Sequence, residues 1–193
     1  MEQILRNVNA LVPHSPESEA VFRQIAHKRH YQRKEWIIRA GDACDEVFFV
    51  NSGLIRMVLD LPDGTEQTGH FALEDTWVCS YTSFLLREPA AYAMQALEDT
   101  EVMVITREGL NQLYESTPQG DRVGRKIAEN LFIDFDQRIR SIYLKSPKQR
   151  YDEIEETFPN IHNRVPQHMI ASYLGISPVH LSRLKKEALA AKS

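Results

Sequence analysis

The C-terminal segment holds the side chains whose types and spacing suggest a defined chemistry. Ser177-Pro178-Val179-His180-Leu181-Ser182-Arg183 is followed by two lysines, so polar and basic residues recur along one short segment. A guanidinium group can donate two hydrogen bonds to O6 and N7 of guanine, while lysine and serine side chains suit phosphate oxygens. This segment is therefore predicted to contact base edges and phosphates of duplex DNA.

Two short helices around a tight turn are predicted to position these side chains. Ile170 and Leu174 lie one turn apart on the first helix, and Gly175 favours the positive φ needed to leave it. Ser177 is a suitable N-cap and Pro178 a suitable first residue for the second helix. Such a pair is a helix-turn-helix. The predicted DNA-contacting residues are Gln167, His168, Ser177, Pro178, Val179, His180, Ser182, Arg183, Lys185 and Lys186.

The charge of the whole chain, by itself, argues against a nucleic-acid partner. The 193 residues include 23 basic and 27 acidic side chains, a formal net charge of −4. From Arg164 onward, however, five basic residues face one acidic residue, so this segment carries +4 and the preceding residues carry −8. This distribution concentrates attraction for phosphates at one end. The alternative to a DNA-binding protein is a ligand-binding or scaffold protein whose helix-turn-helix does not bind DNA.

A continuous apolar stripe with helical period extends from about Asp121 to Leu144 and predicts one long helix. At 1.5 Å per residue it would be about 36 Å long, which exceeds what a small β-domain needs for cover. Part of the stripe is therefore predicted to pack against a second copy, as in a coiled coil, the alternative being an ordinary core helix. The predicted dimer interface consists of Ile127, Leu131, Phe135, Ile139 and Ile142.

The N-terminal half divides into a helical and a strand-forming part. The first forty residues are predicted to be largely helical, because Ser15 and Pro16 can begin a helix and Phe22 and Ile25 share one apolar face. From Trp36 onward the period changes to two. Strands are predicted at 47–50, 54–60, 67–73, 93–97 and 101–105. Short strands at regular spacing with turn signals between them favour a β-sandwich or barrel.

Together these features resemble the Crp/Fnr family of bacterial transcription regulators over nearly the whole chain. Gly41-Asp42 followed by Val47–Arg56 is similar to the glycine-containing signature of that family's β-roll. Asp63-Gly64-Thr65-Glu66 resembles the next hairpin, and Ala96–Val102 resembles the last strands.

The resemblance implies an α+β protein with three parts. These would be an N-terminal jelly-roll β-roll with flanking helices (1–117), a long dimerisation helix (118–146) and a small α-helical helix-turn-helix domain (147–193). It also implies a cytoplasmic homodimer that binds double-stranded DNA sequence-specifically, with RNA polymerase as a further partner. Relatives that read guanine-rich half-sites carry Arg and Glu in place of Pro178 and Val179, so a different operator is expected.

The effector pocket departs from the family pattern. Members that bind cyclic nucleotides carry a Gly-Glu pair for the ribose hydroxyl and, after a short helix, an Arg for the cyclic phosphate. Here Val78-Cys79 and Pro89-Ala90 occupy those places, and Arg87 lies two or three residues early. Cyclic AMP is therefore not expected to bind well, and the effector is unknown. The predicted pocket residues, whose aromatic members suit an apolar ligand or fill the barrel, are Trp77, Val78, Cys79, Ser80, Tyr81 and Tyr92.

No catalytic or metal-binding constellation is predicted. His70 is the single histidine of the strand region, too few for a cupin-type metal site, and His27 and His30 are expected to be solvated. Nucleophile–base motifs and phosphate-binding loops do not occur. Cys44 and Cys79 are too few for an iron–sulfur cluster or a structural zinc ion. The lack of catalytic motifs leads us to expect a protein that is not an enzyme. Because the sequence shows no secretory signal and no apolar run of about 18–20 residues, a cytoplasmic location is expected.

Overall fold

The computed structural model describes residues 1–13 and 15–190. Helices α1 (Glu2–Leu11) and α2 (Pro16–Ile25) begin the chain, and Ser15 caps α2 by accepting the N–H of Ser18 at 3.4 Å. Strand β1 (Ala26–Tyr31) follows directly. The predicted helical character of the first forty residues is therefore wrong from Ala26 onward. Four successive side chains of β1 are exposed, so its sequence lacks the alternation typical of a strand. The strand is stabilised by its backbone pairing with another strand.

The described strands form a jelly-roll β-roll of two antiparallel sheets, with strand orders β1-β8-β3-β6 and β2-β7-β4-β5. Phe48, Phe49 and Ile105 from one sheet and Met94 from the other are fully buried in one core that the sheets share with the flanking helices. Each predicted strand is present. The remaining bounds are β2 (Trp36–Ile38), β3 (Glu46–Ser52), β4 (Ile55–Asp60), β5 (Glu66–Ala72), β6 (Trp77–Val78), α3 (Tyr81–Leu86), β7 (Ala93–Ala96) and β8 (Thr100–Thr106).

Helix α4 (Arg107–Ser116) leads from the β-roll into the long helix α5 (Gly120–Leu144), which confirms the predicted long helix. The first turns of α5 belong to the core of the same chain, because Ile127 is buried there and Leu131 packs against it. The later turns are different: Phe135 is 64% and Ile139 41% exposed, and Ile142 is exposed as well. The five residues predicted to contact a second copy therefore occupy two different environments.

Four shorter helices follow in the described part of the chain: α6 (Pro147–Thr157), α7 (Ile161–Arg164), α8 (Gln167–Leu174) and α9 (Pro178–Ala190). Ser146 caps α6 and exchanges hydrogen bonds with Gln149 in a capping box, so the break after α5 is also a helix start. The apolar side chains of these helices form a second core together with three residues of the β-roll, Leu54, Phe71 and Leu97. The C-terminal helices are thus packed against the β-roll through a shared core.

The turn between β3 and β4 requires glycine at residue 53. Gly53 has a φ of +98°, and a Cβ placed there would lie 2.7 Å from the Cα of Thr100. Because backbone cannot move aside cheaply, we expect Gly53→Ala to lower the free energy of unfolding by about 2–4 kcal/mol. Gly64→Ala, at φ +82° in open space, is the control and should cost about 1 kcal/mol. Urea unfolding followed by circular dichroism measures both, and equal losses would contradict the close approach.

Candidate nucleic-acid interface and effector pocket

The helix-turn-helix forms where it is predicted, from α8 and α9. Gly175 ends α8 with a φ of 66°, and the N–H of Ile176 returns to the carbonyl of Ala171 at 3.0 Å. The hydroxyl of Ser177 then accepts the N–H of His180 at 3.2 Å, so Ser177 caps α9. Local chain chemistry therefore determines the angle between the two helices, as a left-handed glycine and an N-cap are expected to do.

One face of α9 is buried and the opposite face is open. Leu181 and Leu184 are buried, the former in one core with α8, where Ala171 is fully buried. On the outer face Val179 is 63% exposed. The other exposed residues predicted to contact DNA are Ser177, Pro178, His180, Ser182, Arg183 and Lys186. The face therefore combines hydrogen-bonding, cationic and apolar groups that are accessible to a partner.

The cationic side chains of α9 differ in whether they have a partner within the described part of the chain. Neither Arg183 nor Lys186 forms an ion pair or hydrogen bond with any residue in the described part of the chain. Lys185, by contrast, is half-buried and its Nζ donates to Oε1 of Gln167 at 3.2 Å. Gln167 and His168, which begin α8, are themselves exposed. Arg183 and Lys186 can therefore bind an external acceptor without breaking an existing contact, whereas Lys185 connects α9 to α8.

Strand β5 holds α8 in place through polar contacts that the sequence pattern did not reveal. The hydroxyl of Ser172 accepts the backbone N–H of Thr68 at 2.8 Å, and the side-chain amide of Gln67 donates to the carbonyl of Ser172. Arg138 of α5 donates to the carbonyl oxygens of Gly69 and Tyr173 and lies 3.7 Å from the centre of the Tyr173 ring. The position of α8 is therefore coupled to both the β-roll and the long helix.

A cleft of about 490 Å³ runs along this junction. Its lining includes His70 of β5, whose ring lies edge-on to Phe158 at 5.3 Å, and Asp134 of α5. Burial, with a contribution from the charge of Arg138, lowers the pKa of His70 to about 4. The imidazole is therefore uncharged near pH 7, and its ring packs against Phe158 in the contact between the β-roll and the C-terminal helices.

The predicted effector-pocket residues lie around β6 and the start of α3, and the structure brings only some of them together. Val78, Cys79 and Ser80 are buried, and the hydroxyl of Tyr92 donates to the carbonyl of Cys79 at 3.0 Å. Trp77, in contrast, donates to Asn7 of α1 at 2.9 Å and packs against Phe49. Tyr81 is half-buried and stacks on Phe84. Burial raises the pKa of the Cys79 thiol, so this cysteine is an inert apolar side chain.

The side chains at this position do not fit a cyclic phosphate. Those that are buried between β6 and β7 are neutral: Val78, Cys79, Ser80, Ser83, Phe84 and Ala90. Arg87, the C-cap of α3, is exposed, with a φ of 59°, and makes no ion pair within the described ranges. A buried phosphate requires a paired cation or several directed donors to offset its desolvation. Here Arg87 is outside the buried set. Arg107, whose guanidinium lies 4.3 Å from the centre of the Phe84 ring, is already paired with Asp45.

Comparison with known proteins identifies the β-roll. Residues 28–117 match the family described as the cyclic nucleotide-binding domain. The β-roll is therefore similar to that domain. The cAMP-activated global transcriptional regulator Vfr of Pseudomonas aeruginosa is 33% identical over 57 residues, which are 28% of this chain. The chain matches 27% of the length of this curated relative.

Solved structures share the fold of the cyclic nucleotide-binding domain together with its C-terminal helices. FixK2 from Bradyrhizobium japonicum has a TM-score of 0.69 at 20% identity, covering 87% of this chain and 86% of FixK2. The c-di-GMP responsive global regulator CLP of Xanthomonas campestris has a TM-score of 0.70 at 18% identity, covering 92% and 93%. The predicted α+β fold and the predicted resemblance to the Crp/Fnr family are confirmed.

Two further properties concern the described residues alone. None of their helices combines the length and apolarity needed to cross a membrane. They also contain no group of three or more His, Cys, Asp or Glu side chains that could hold a metal ion. Of the similar proteins, Vfr and CLP are named as regulators.

Proposed function

We propose that this protein is a sequence-specific DNA-binding transcription regulator of the Crp/Fnr type. The outer face of α9 carries the proposal, because its inner face is covered by α8 while Arg183 and Lys186 are exposed and unpaired within the described residues. Duplex DNA fits this face, since its major groove admits an α-helix and its phosphates attract cations. The segment from residue 147 onward would then be the DNA-binding domain, with 1–117 as sensor.

The side chains of α9 divide naturally between base edges and the DNA backbone. Arg183 can donate two hydrogen bonds to a guanine, Val179 can contact a thymine methyl group, and His180 can reach a base or a phosphate. Ser182, Lys186 and the N-terminal residues of α8, Gln167 and His168, suit phosphate oxygens. Lys185 has a different role, because its bond to Gln167 orients that amide.

The exposed apolar part of α5 supports a homodimer. Phe135, Ile139 and Ile142 are exposed on one chain, and a matching helix from a second copy would bury them in a parallel pair. A dimer places two α9 helices in successive major grooves, with half-site centres about 34 Å apart. RNA polymerase would be the partner that such a bound dimer recruits or excludes.

We further propose that the effector of the sensor domain is not cyclic AMP. Among the relatives, Vfr is cAMP-activated and CLP is c-di-GMP responsive, so this domain type serves more than one effector. Neutral side chains occupy the buried region between β6 and β7, and Arg87 lies outside it. An effector that binds there without a charged group is therefore favoured over a cyclic phosphate.

Selection of bound duplexes from a random pool tests the proposed function and the proposed contacts of α9 with bases and phosphates. We expect an enriched palindrome. Arg183→Ala should then lose discrimination at one base pair per half-site, costing about 1–3 kcal/mol. Lys186→Ala is the comparison: it should weaken binding to all sequences alike and lower the salt slope by about one. The absence of an enriched motif, together with salt-independent binding, would favour the scaffold alternative.

Phe135→Glu tests the dimer. A carboxylate in an apolar interface is strongly desolvated, so we expect this variant to sediment as a monomer at about 10 µM, where the wild type is a dimer. Leu85→Glu, at a residue that is 55% exposed on α3, is the matched control and should remain dimeric. Sedimentation velocity distinguishes the two states. A dimeric Phe135→Glu variant, or a monomeric wild type, would show that α5 is not the interface.

Calorimetric titration with cyclic AMP tests the proposal about the effector. We expect no saturable binding with a Kd below about 100 µM, because no buried cation pairs with the phosphate. Titration with the non-cyclic 5′-AMP controls for binding at the protein surface. A Kd near 1 µM, which corresponds to about −8 kcal/mol, would contradict this expectation.

A further inference from the structure

Arg164, the last residue of α7, connects the C-terminal helices to one end of the β-roll. Its guanidinium donates to Glu74 at 2.7 and 2.9 Å and to Glu98 at 2.5 Å. A further bond joins it to the carbonyl oxygen of Gly53 at 3.1 Å. These partners lie in three different connections of the β-roll, so one side chain contacts the β3–β4, β5–β6 and β7–β8 segments together. We call Arg164, Glu74 and Glu98 the interdomain clasp.

A backbone N–H group also takes part in the interdomain clasp. The N–H of Gly53 donates to Oε1 of Glu74 at 3.0 Å, while the carbonyl of the same residue accepts from Arg164. The Glu74 carboxylate is therefore oriented by the turn before it meets the guanidinium. The Arg164 side chain is only 20% exposed, so the pairing is partly desolvated. A planar guanidinium that contacts two oriented carboxylates restricts both distance and angle, which a flexible ammonium group would not.

The clasp and strand β5 hold α7 and α8 from different sides. Arg164 attaches the end of α7, and the bond between Thr68 and Ser172 attaches the middle of α8. Helix α9 is packed on α8 through Leu181 and therefore has no independent orientation. Because α5 is anchored in the β-roll core by Val123 and Ile127, the direction of α9 relative to the dimer helix depends on these attachments.

We propose that Arg164 is a positioning residue whose clasp with Glu74 and Glu98 determines the half-site spacing that the dimer accepts. This inference rests on the proposed function as a dimeric DNA-binding protein. Arg164 is counted in the basic C-terminal segment, but its guanidinium is paired with two carboxylates, whose negative charges disfavour a phosphate at the same place. Loss of the ion pairs of the clasp allows α9 to change its direction, while the side chains of α9 stay the same. Base discrimination within one half-site is therefore retained, while the fixed separation of two half-sites is lost.

The experiment measures affinity for duplexes that carry two copies of the selected half-site at separations varied one base pair at a time. For the wild type we expect one preferred separation, favoured at least about tenfold over its neighbours. For Arg164→Gln we expect this preference to fall below about threefold, with unchanged affinity for a single half-site and an unchanged salt slope. A salt slope lowered by about one would instead identify Arg164 as a phosphate contact and overturn the proposal.

Variants of the two carboxylates of the clasp test the inference without removing a positive charge. Glu74→Gln combined with Glu98→Gln retains Arg164 and should relax the spacing preference as Arg164→Gln does. Arg29→Gln is the matched control, because it removes a two-point pair with Glu46, at 2.6 and 2.7 Å, that lies within the β-roll alone. It should keep the preference of the wild type. If both clasp variants keep that preference, Arg164 does not position α9.

A readout without DNA separates this inference from the proposed function. Hydrogen exchange of the Thr68 amide, which is bonded to Ser172, should be faster in both clasp variants, whereas the amides of β3 and β8 should be unchanged. Unchanged exchange at Thr68 would overturn the inference even if DNA binding is intact. If the wild type enriches no palindrome, the proposed function fails, and faster exchange at Thr68 would still establish the clasp as an attachment of α8.

Discussion

The contact between Phe71, Phe158 and Tyr173 joins the β-roll to the C-terminal helices, and the placement of the outer face of α9 depends on it. The three rings lie 5.2–5.5 Å apart, two of the pairs edge-on, and they come from β5, the end of α6 and α8. Aromatic side chains of this size bury enough apolar surface to hold two layers together, and their edge-on geometry restricts rotation between them. Around this centre, Arg138 and the clasp add directed polar contacts.

The same arrangement gives the basic residues of the C-terminal segment separate tasks. Arg164 is paired with two carboxylates and Lys185 with an amide, so both contribute to placing α8 and α9. Arg183 and Lys186 are exposed and carry the charge that is available to a partner. Because paired charges attract phosphates weakly, the effective cationic surface is smaller than the count of basic residues indicates. It is also more localised, which favours specific over indiscriminate binding.

Helix α5 combines two functions along its length because its environment changes. Its first turns complete the core beneath α1 and α4, and this attaches the helix to the N-terminal part of the chain. Its later turns carry exposed apolar side chains that a second copy would cover. Within these later turns, Arg138 donates to backbone carbonyls of β5 and α8. A shift of the β-roll against α5 would therefore reach α8 directly, a route for an effector signal that needs no change within the helix-turn-helix.

The sequence by itself determined the features that depend on neighbours in the chain. The cap at Ser177, the left-handed Gly175, the long helical period of α5 and the strands β3, β4, β5, β7 and β8 all follow from short-range sterics and hydrogen bonding. These are enough to predict the fold class and the outer face of α9. Strand β1 was missed, since four of its six side chains face solvent and only its ladder with β8 stabilises it.

Only the tertiary structure decided which predicted residues act together. The partners of Arg164 lie 66 and 90 residues away, so no periodicity or spacing could reveal the clasp. Ile127 and Phe135 belong to the same apolar stripe, yet one is buried in its own chain and the other is exposed, because α1 and α4 pack on the first turns of α5. Local rules limit the conformation of each segment, whereas burial and charge pairing depend on which distant surface folds against it.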